Sequence, residues 1–194
     1  MNLATAVNKL LPRDRANRFF QSAWVVNDLR QTAERWVKAF GVGPFYIFEG
    51  LVLEDLKYRG APAKMDFSAA LAQAGDQQIE LIRQGCDQPS AYRDLYPVGK
   101  EGFHHLAVFA VDYGRELEFY REQGFQIATE GRLGTVRYCY VDTLPILGFM
   151  IEVIEENAPY RQVFAEIAAA SRNWDGNRPI RSHEELGRLT EAPP

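Results

Sequence analysis

The sequence has few cysteines and no long apolar run. Cys86 and Cys139 are its two cysteines, too few and too far apart for a disulfide framework or a thiolate zinc site. We expect them to be free thiols in a reducing compartment. No segment approaches the roughly 20 apolar residues of a membrane helix, and the N-terminus lacks the basic head and apolar core of a signal peptide. These absences predict a cytoplasmic protein with no membrane partner.

An excess of positive charge is also missing. Lys and Arg number 22 against 26 Asp and Glu, which gives a formal net charge of −4. Proteins that bind nucleic acids usually carry a basic patch or a high pI. The two basic clusters, at residues 13–18 and 172–181, are interrupted by acidic or polar residues. They are typical of solvated faces, so we expect no nucleic-acid partner.

Apolar residues make up 46% of the chain and include 12 Phe, 9 Tyr and 3 Trp, enough for a sizeable core. Two of the three histidines, His104 and His105, are adjacent at the head of a short apolar run. Side chains alternate faces along a strand, so one of the pair is predicted to face a pocket and the other to point away. His183 lies in a polar tail and is a poor candidate for a buried role.

One order of elements, strand, helix and three strands, is predicted twice along the chain. In the first half, helix 29–40 follows strand 19–26, and strands 45–48, 65–74 and 78–82 come next. Residues 51–64 are predicted to be a loop over a pocket, and residues 85–99 a connector with one helical turn. In the second half, helix 112–123 follows strand 103–111, and strands 125–129, 136–141 and 149–155 come next. A helix over 159–170 begins the tail.

This repetition predicts an α+β fold with an internal duplication. The predicted units are an N-terminal arm at 1–17, a first βαβββ module with its connector at 18–99, a second module at 100–156 and a C-terminal helical tail at 157–194. Counting back seven residues from Asp28 and from Asp112, the two helix starts, superposes Gln21 on His105. The closing strands Ile79–Ile82 and Ile151–Ile154 superpose Glu80 on Glu152.

Each of these glutamates lies inside an otherwise apolar strand. A carboxylate in that position either faces solvent or pairs with a cation, and simple alternation favours solvent. The repeat favours a shared site instead, because it places both glutamates at equivalent positions and superposes two other potential ligands, Gln21 and His105. Carboxylate and amide oxygens with one imidazole nitrogen suit Zn²⁺, Ni²⁺, Co²⁺, Mn²⁺ or Fe²⁺. The sequence therefore predicts a divalent metal site.

Paired βαβββ modules with a ligand on the first and last strand of each resemble the vicinal oxygen chelate superfamily. It includes glyoxalase I, methylmalonyl-CoA epimerase, extradiol dioxygenases and bleomycin-resistance proteins. The resemblance covers Arg18 to Glu156 and implies a curved sheet, or half-barrel, around a metal held by Gln21, Glu80, His105 and Glu152. This set is the one expected of glyoxalase I. Methylmalonyl-CoA epimerase has His first and Gln second, and the extradiol dioxygenases need His where Gln21 stands.

The resemblance implies a metal-dependent lyase or isomerase, glyoxalase-like or epimerase-like, that abstracts a proton next to a carbonyl of a metal-chelated small molecule. Glu152 is the first candidate for the general base and Glu80 the second. A ring-cleaving dioxygenase and a metal-free binding protein are the alternatives. The resemblance also implies a homodimer.

Two sets of side chains are candidates for binding the substrate. Aromatic residues on or near the predicted concave face are expected mainly to pack in the core, with one or two lining the pocket: Tyr46, Phe48, Tyr58, Phe67, Tyr138 and Tyr140. Four arginines could hold a substrate carboxylate: Arg59, Arg83, Arg132 and Arg137. The segment 51–64 and the C-terminal tail are predicted to decide which substrate is bound.

Overall fold

The computed structural model describes residues 19–187, so the predicted arm at 1–17 and the end of the tail lie outside the described residues. The first half contains β1 (Gln21–Val25), α1 (Leu29–Phe40), β2 (Phe45–Leu51), β3 (Leu53–Tyr58), β4 (Ala61–Pro62), β5 (Phe67–Ala74) and β6 (Gln77–Gln84). After the connector helix α2 (Ala91–Leu95), the second half contains β7 (Gly102–Ala110), α3 (Tyr113–Glu122), β8 (Gln126–Leu133), β9 (Val136–Asp142), α4 (Leu144–Leu147) and β10 (Met150–Glu155). The tail adds α5 (Ala158–Arg172), β11 (Ile180–Ser182) and a 3-10 turn at His183–Glu185. The predicted α+β fold class is confirmed.

The strands form one mixed sheet in the order β11-β2-β5-β6-β1-β7-β10-β9-β8-β3-β4. Its centre is the antiparallel pair β1 and β7, the first strands of the two halves. On either side, the closing strand of each half pairs in parallel with its first strand, β6 with β1 and β10 with β7. The four strands where ligands were predicted are therefore neighbours in the middle of the sheet.

Alternation along these strands separates two environments. Outward-facing residues pack against α1 in one half and against α3 in the other. Inward-facing residues form a shared cluster under the concave face, to which β1, β7, β9 and β10 all contribute. The helices begin at equivalent caps: Asp28 accepts a hydrogen bond from the backbone N–H of Gln31, and Asp112 from that of Arg115. These caps explain why the two strand-to-helix junctions match in sequence.

The prediction of a loop over residues 51–64 is wrong. This segment forms β3 and β4, and β3 pairs antiparallel with β8, at the far end of the sheet from β2. Val52 alone separates β2 from β3, so the sheet must curl until its two ends approach each other. It is not closed, because β2 pairs with β5 and β11 and not with β3. The segment contains charged residues and a Gly60 turn, which hid its strands from the sequence pattern.

The tail helix α5 packs across the concave side of the sheet. Its Phe164 and Ile167 are buried in one cluster with Tyr46 and Leu71. Beyond α5, the Trp174 ring lies so close to Gly43 that a Cβ on that glycine would be 2.7 Å from the ring. Within residues 19–187, no helix is long and apolar enough to cross a membrane. The tail thus covers the side of the sheet on which the predicted ligands lie.

Candidate metal centre

The predicted site residues lie in two rows across the four central strands. In one row Glu80 of β6 is opposite Ala23 of β1, which is opposite His105 of β7. In the other row Gln21 of β1 is opposite Ala107 of β7, which is opposite Glu152 of β10. Each row therefore has an alanine between two polar residues. Because neighbouring strands lie about 4.8 Å apart, long side chains on the outer strands can meet above the small methyl group.

Three of the four predicted residues are in mutual contact. Nε2 of His105 lies 3.1 Å from Oε2 of Glu152 and 3.4 Å from Oε2 of Glu80. One ligand atom from each of these residues can be chosen so that all lie within 4.8 Å of one another. His105 is completely buried, and the two carboxylate side chains are about nine-tenths buried. Gln21 is buried in the same cavity, and its Nε2 donates a 2.7 Å hydrogen bond to Oε1 of Gln78.

The donor set fits a divalent cation because its buried ligand atoms face one another and have no hydrogen-bond partner outside the cluster. Within residues 19–187, Oε1 of Gln21 has no hydrogen-bond partner, and Oε2 of Glu80 and Nε2 of His105 have only their contacts within the cluster. Buried polar atoms are rarely left unpaired, and each exception needs an explanation such as an ion. Two carboxylates, one imidazole and one amide oxygen are ligands that Zn²⁺, Ni²⁺, Co²⁺, Mn²⁺ and Fe²⁺ accept. Their assignment as ligands stays a prediction.

The electrostatics of the cluster are those of a site that lacks positive charge. Burial raises the pKa of Glu80, the His105 imidazole partly offsets this, and the Glu152 carboxylate raises it further. Burial lowers the pKa of His105, but Glu152 and Glu80 outweigh that effect and bring it to about 9. In the metal-free protein, the raised pKa values of Glu80 and His105 therefore favour bound protons, which offset negative charge that a cation would otherwise offset.

The prediction that His104 and His105 point to opposite faces is wrong. The pairing of β1 with β7 shifts register between Ala23 and Trp24, which are opposite His105 and Phe103. His104 is the extra residue of this bulge, and both rings are completely buried and contact each other. Neither imidazole is among the side chains that line the cavity, and both nitrogens of His104 have hydrogen-bond partners, as expected of a structural histidine. A bulge depends on tertiary pairing, so simple alternation could not reveal it.

Hydrogen bonds around His104 decide which nitrogen of His105 is available. The carbonyl of Ala91 lies 3.1 Å from Nε2 of His104 and can only accept, so this nitrogen carries the hydrogen. Burial lowers the pKa of His104 to about 3, which keeps the ring neutral and leaves its Nδ1 as an acceptor. Nδ1 of His105, at 3.0 Å, must then donate to it. Nε2 of His105 is thereby left to face the two carboxylates, as a metal ligand requires.

A cavity of about 680 Å³, its open mouth included, lies above the cluster. Four of the six predicted aromatic residues line it: Phe48, Phe67, Tyr138 and Tyr140. Tyr46 is buried against α5, and Tyr58 donates a hydrogen bond to Asp94. Gln21, Glu80 and Glu152 form its polar part. The segment predicted to cover a pocket contributes Leu51 and Leu53 to the lining even though it is not a loop.

None of the four candidate arginines lines this cavity. Arg59 binds Asp94 and Asp142, and Arg137 pairs with Glu155. Arg132 pairs with Glu54 and Asp55, and Arg83 is likewise absent from the lining. Binding of a substrate carboxylate by one of these four arginines stays a prediction. Each of the three paired arginines has carboxylate partners that were not evident from sequence.

Sequence reasoning missed three residues that shape the cluster. Gln78, two positions before Glu80 on the same face of β6, orients Gln21. Ala23 and Ala107 provide the gaps through which the polar side chains meet. The signal was present, because Gln21 and His105 are each followed two positions later by an alanine.

Comparison with known proteins relates this arrangement to a family. The model of the "Glyoxalase/Bleomycin resistance protein/Dioxygenase superfamily" matches residues 20–140, more than half of the chain. No match is found among curated protein sequences. A hypothetical protein of Bacillus halodurans has a similar structure, with a TM-score of 0.54, 16% identity, and coverage of 74% of this chain and 97% of the other. A methylmalonyl-CoA epimerase variant of Streptomyces coelicolor, in complex with 2-nitronate-propionyl-CoA, has a TM-score of 0.52 and 17% identity, and covers 73% of this chain and 99% of its own.

At these identities the structural likeness establishes the fold alone. The matched range contains Gln21, Glu80 and His105, and Glu152 lies beyond it. The family expectation drawn from the two βαβββ repeats is confirmed by the family match and by the shared fold. The chain belongs to the glyoxalase, bleomycin-resistance protein and dioxygenase superfamily.

Proposed function

We propose that the protein is a divalent-metal-dependent isomerase or lyase that moves a proton next to a carbonyl group of a small molecule. The observation that carries the proposal is the convergence of Glu80 and Glu152 on Nε2 of His105. These glutamates come from equivalent strands of the two halves, and both line the cavity above the cluster.

In the proposed reaction each residue has a separate task. A bound divalent ion would polarise the substrate carbonyl and make the neighbouring proton more acidic. Glu152 takes up that proton and returns it, and Glu80 is the second candidate for this step. His105 and Gln21 hold the ion without taking part in the transfer. Gln78 keeps the Gln21 side chain turned so that Oε1 is free of the hydrogen bond made by Nε2.

The apolar walls of the cavity also serve the proton transfer. Phe67, Leu71, Ile154 and Phe164 surround the space beside the carboxylates. Such walls keep water from the reacting carbon and strengthen the electrostatic interactions of the carboxylates. Glu80, Glu152, His105 and Gln21 would hold an ion that could stabilise negative charge on the substrate.

Two other functions known in the superfamily have less support in this chain. Ring-cleaving dioxygenases need a second histidine, and Gln21 stands at that position. A metal-free binding protein has no use for two buried carboxylates that converge on one imidazole beside a buried amide oxygen without a partner. The proposed isomerase or lyase uses all four residues.

The proposal is tested by metal content and by exchange of a substrate proton. Elemental analysis of the purified protein should find close to one divalent ion per chain, and the variants His105→Ala and Glu152→Gln should lose it or bind it weakly. Glu155→Gln is the matched control, since it lies on the same strand, faces outward and pairs with Arg137. The wild-type protein should exchange the proton next to the carbonyl of a 2-oxo acid or a thioester with solvent deuterium. Wild-type protein that retains no ion after purification and reconstitution, or that exchanges no proton, would contradict the proposal.

A further inference from the structure

The cavity above the candidate centre has a polar floor and apolar walls. Carboxylates of Glu80 and Glu152 and the amide of Gln21 lie at its floor. Most of the wall is formed by aliphatic and phenyl side chains, among them Leu71, Leu133, Ile154, Val163 and Phe164, and the rest of it by tyrosines. Such walls favour an apolar ligand surface, because covering it removes apolar area of both partners from water.

No lysine or arginine lines the cavity within the part of the chain that the structure describes. A negative group on the body of a substrate would therefore lose its hydration without gaining a partner. It would also lie in the same cavity as two carboxylates. Burial of an unpaired charge is among the most unfavourable events in a protein interior. The cavity is built to reject an anionic substrate body.

Helix α5 of the tail supplies one side of this cavity. Tyr160, Val163 and Phe164 face into it, and Phe164 also stacks at a tilt on Tyr160, with ring centroids 4.6 Å apart. Gln162, the neighbour of Val163 on the same helix, is exposed and does not line the cavity. The tail therefore adds apolar side chains to a wall that the two repeats alone would leave incomplete.

Four tyrosines complete the lining of the cavity: Tyr92, Tyr138, Tyr140 and Tyr160. The hydroxyls of Tyr92 and Tyr140 hydrogen-bond each other at 2.9 Å, and the hydroxyl of Tyr138 is itself buried, beside Gly131. A tyrosine hydroxyl is neutral, so it does not replace a cation as the partner of a carboxylate.

We propose that the substrate has an uncharged, apolar body of aryl or branched-alkyl size, attached to the oxygens that reach the floor. Val163 and Phe164 of α5 determine this preference. The inference rests on the proposed function for the reaction at the floor. The preference of the walls does not depend on that reaction, so the two can be tested separately.

The walls are tested first on the metal-free protein. Saturation-transfer NMR with benzyl alcohol and benzoate compares an uncharged and an anionic fragment of the same size. We expect transfer to benzyl alcohol and little or none to benzoate. Equal transfer to both, or stronger transfer to benzoate, would overturn the inference, whatever the metal chemistry.

The second test uses protein reconstituted with Co²⁺ and three 2-oxo acids with the same chelating end. Phenylpyruvate and 4-methyl-2-oxopentanoate have apolar bodies, and 2-oxoglutarate has an anionic one. Calorimetry should show the first two binding at least about tenfold more tightly, since the second carboxylate of 2-oxoglutarate would be buried unpaired. Tighter binding of 2-oxoglutarate would overturn the inference. Selective binding without any proton exchange would instead count against the proposed function and leave the inference in place.

A charge placed on α5 should reverse the preference. Val163→Lys brings an ammonium group to the wall, and we expect it to weaken phenylpyruvate binding and strengthen 2-oxoglutarate binding. Gln162→Lys adds the same charge one residue away, outside the cavity, and should change neither. If Val163→Lys fails to fold, as judged by circular dichroism and thermal unfolding, Leu133→Lys on β8 offers a second position on the wall. A folded Val163→Lys or Leu133→Lys protein with unchanged selectivity would contradict the proposal.

Discussion

Nε2 of His105 lies 3.1 Å from Oε2 of Glu152, although these residues are not directly opposite each other on their strands. Glu152 is opposite Ala107, two positions along β7 from His105, so the contact is diagonal on one face of the sheet. Glu80 reaches the same nitrogen across a whole strand, above Ala23. The cluster therefore depends on two small residues as much as on its polar ones.

Replacing either of these alanines by valine should disrupt the cluster. In Ala23→Val the added methyl groups occupy the space between Glu80 and His105, and in Ala107→Val the space between Gln21 and Glu152. We expect metal affinity, measured by calorimetry, to fall by at least about tenfold, with overpacking costing roughly 1–3 kcal/mol of stability. Ala110→Val is the control, because Ala110 is on the outward face of β7. It should cost similar stability and leave metal affinity unchanged; a parallel loss of affinity would refute the idea.

The second prediction separates stability from metal binding. Burial and the neighbouring Glu152 carboxylate raise the pKa of Glu80, which means that its charged form is disfavoured in the metal-free fold. Glu80→Gln removes this charge and keeps the shape, so we expect the metal-free protein to gain about 1 kcal/mol in free energy of unfolding at neutral pH. The variant should at the same time lose most of its metal affinity. Urea unfolding with and without the ion would check both effects, and a destabilised metal-free variant would contradict the assignment.

Metal binding should depend on pH with a definite sign. The carboxylates of Glu152 and Glu80 overcome the effect of burial and raise the pKa of His105 to about 9, so Nε2 carries a proton at neutral pH in the metal-free protein. The raised pKa of Glu80 acts in the same direction. An ion must displace these protons, and its affinity should increase between pH 6 and 8 by on the order of tenfold per pH unit for each proton released. Calorimetry with Co²⁺ in buffers of different ionisation enthalpy would count the protons; an affinity independent of pH would disprove this coupling.

The fourth prediction concerns His104 as a positioning residue. Replacement by Phe removes the acceptor for Nδ1–H of His105, so the ring of His105 is no longer held in one tautomer and orientation. We expect metal affinity to fall by about 10–100-fold, as for other groups that orient a ligand. In the zinc-loaded wild-type protein, ¹⁵N NMR should show hydrogen on Nε2 of His104 and on Nδ1 of His105. The opposite assignment would rule out the relay from the Ala91 carbonyl.

His183→Phe is a suitable comparison for that variant. His183 is an exposed tail residue whose ring stacks on Phe48 and whose Nδ1 lies 3.2 Å from the carbonyl oxygen of Ile47. His183→Phe makes the same change of side chain as His104→Phe, but at a position outside the cluster. It should therefore alter the packing of the tail without changing the tautomer of His105.

Local sequence patterns were sufficient for most of the fold. The caps Asp28 and Asp112 and the apolar spacing of α1 and α3 are encoded by neighbouring residues, so the repeated strand and helix order could be predicted. The strand β3 could not, because Leu53–Tyr58 contains three charged residues. It is stabilised by pairing with β8, a partner more than seventy positions away along the chain. Long-range pairing of this kind leaves little trace in local periodicity.

The candidate site, like the fold, could be predicted from the sequence only in part. The internal repeat superposed Glu80 on Glu152 and Gln21 on His105, and the fold brings Glu80, Glu152 and His105 into contact and places Gln21 in the same cavity. The bulge at His104 and the carboxylate partners of Arg59 and Arg137 could not be predicted, because each depends on how distant strands pair.

The single residue between β2 and β3 has a consequence for how the two halves depend on each other. Val52 joins β2 to β3, and β3 of the first half pairs with the outer edge of β8 in the second half. A chain divided in the connector near Gly99 would leave β7 without β1 and β8 without β3, so two hydrogen-bonding edges would be exposed at once. Separate fragments should aggregate alone and recover the fold when mixed. The first repeat thus lends a strand to the second, and neither repeat can be removed without unpairing strands of the other.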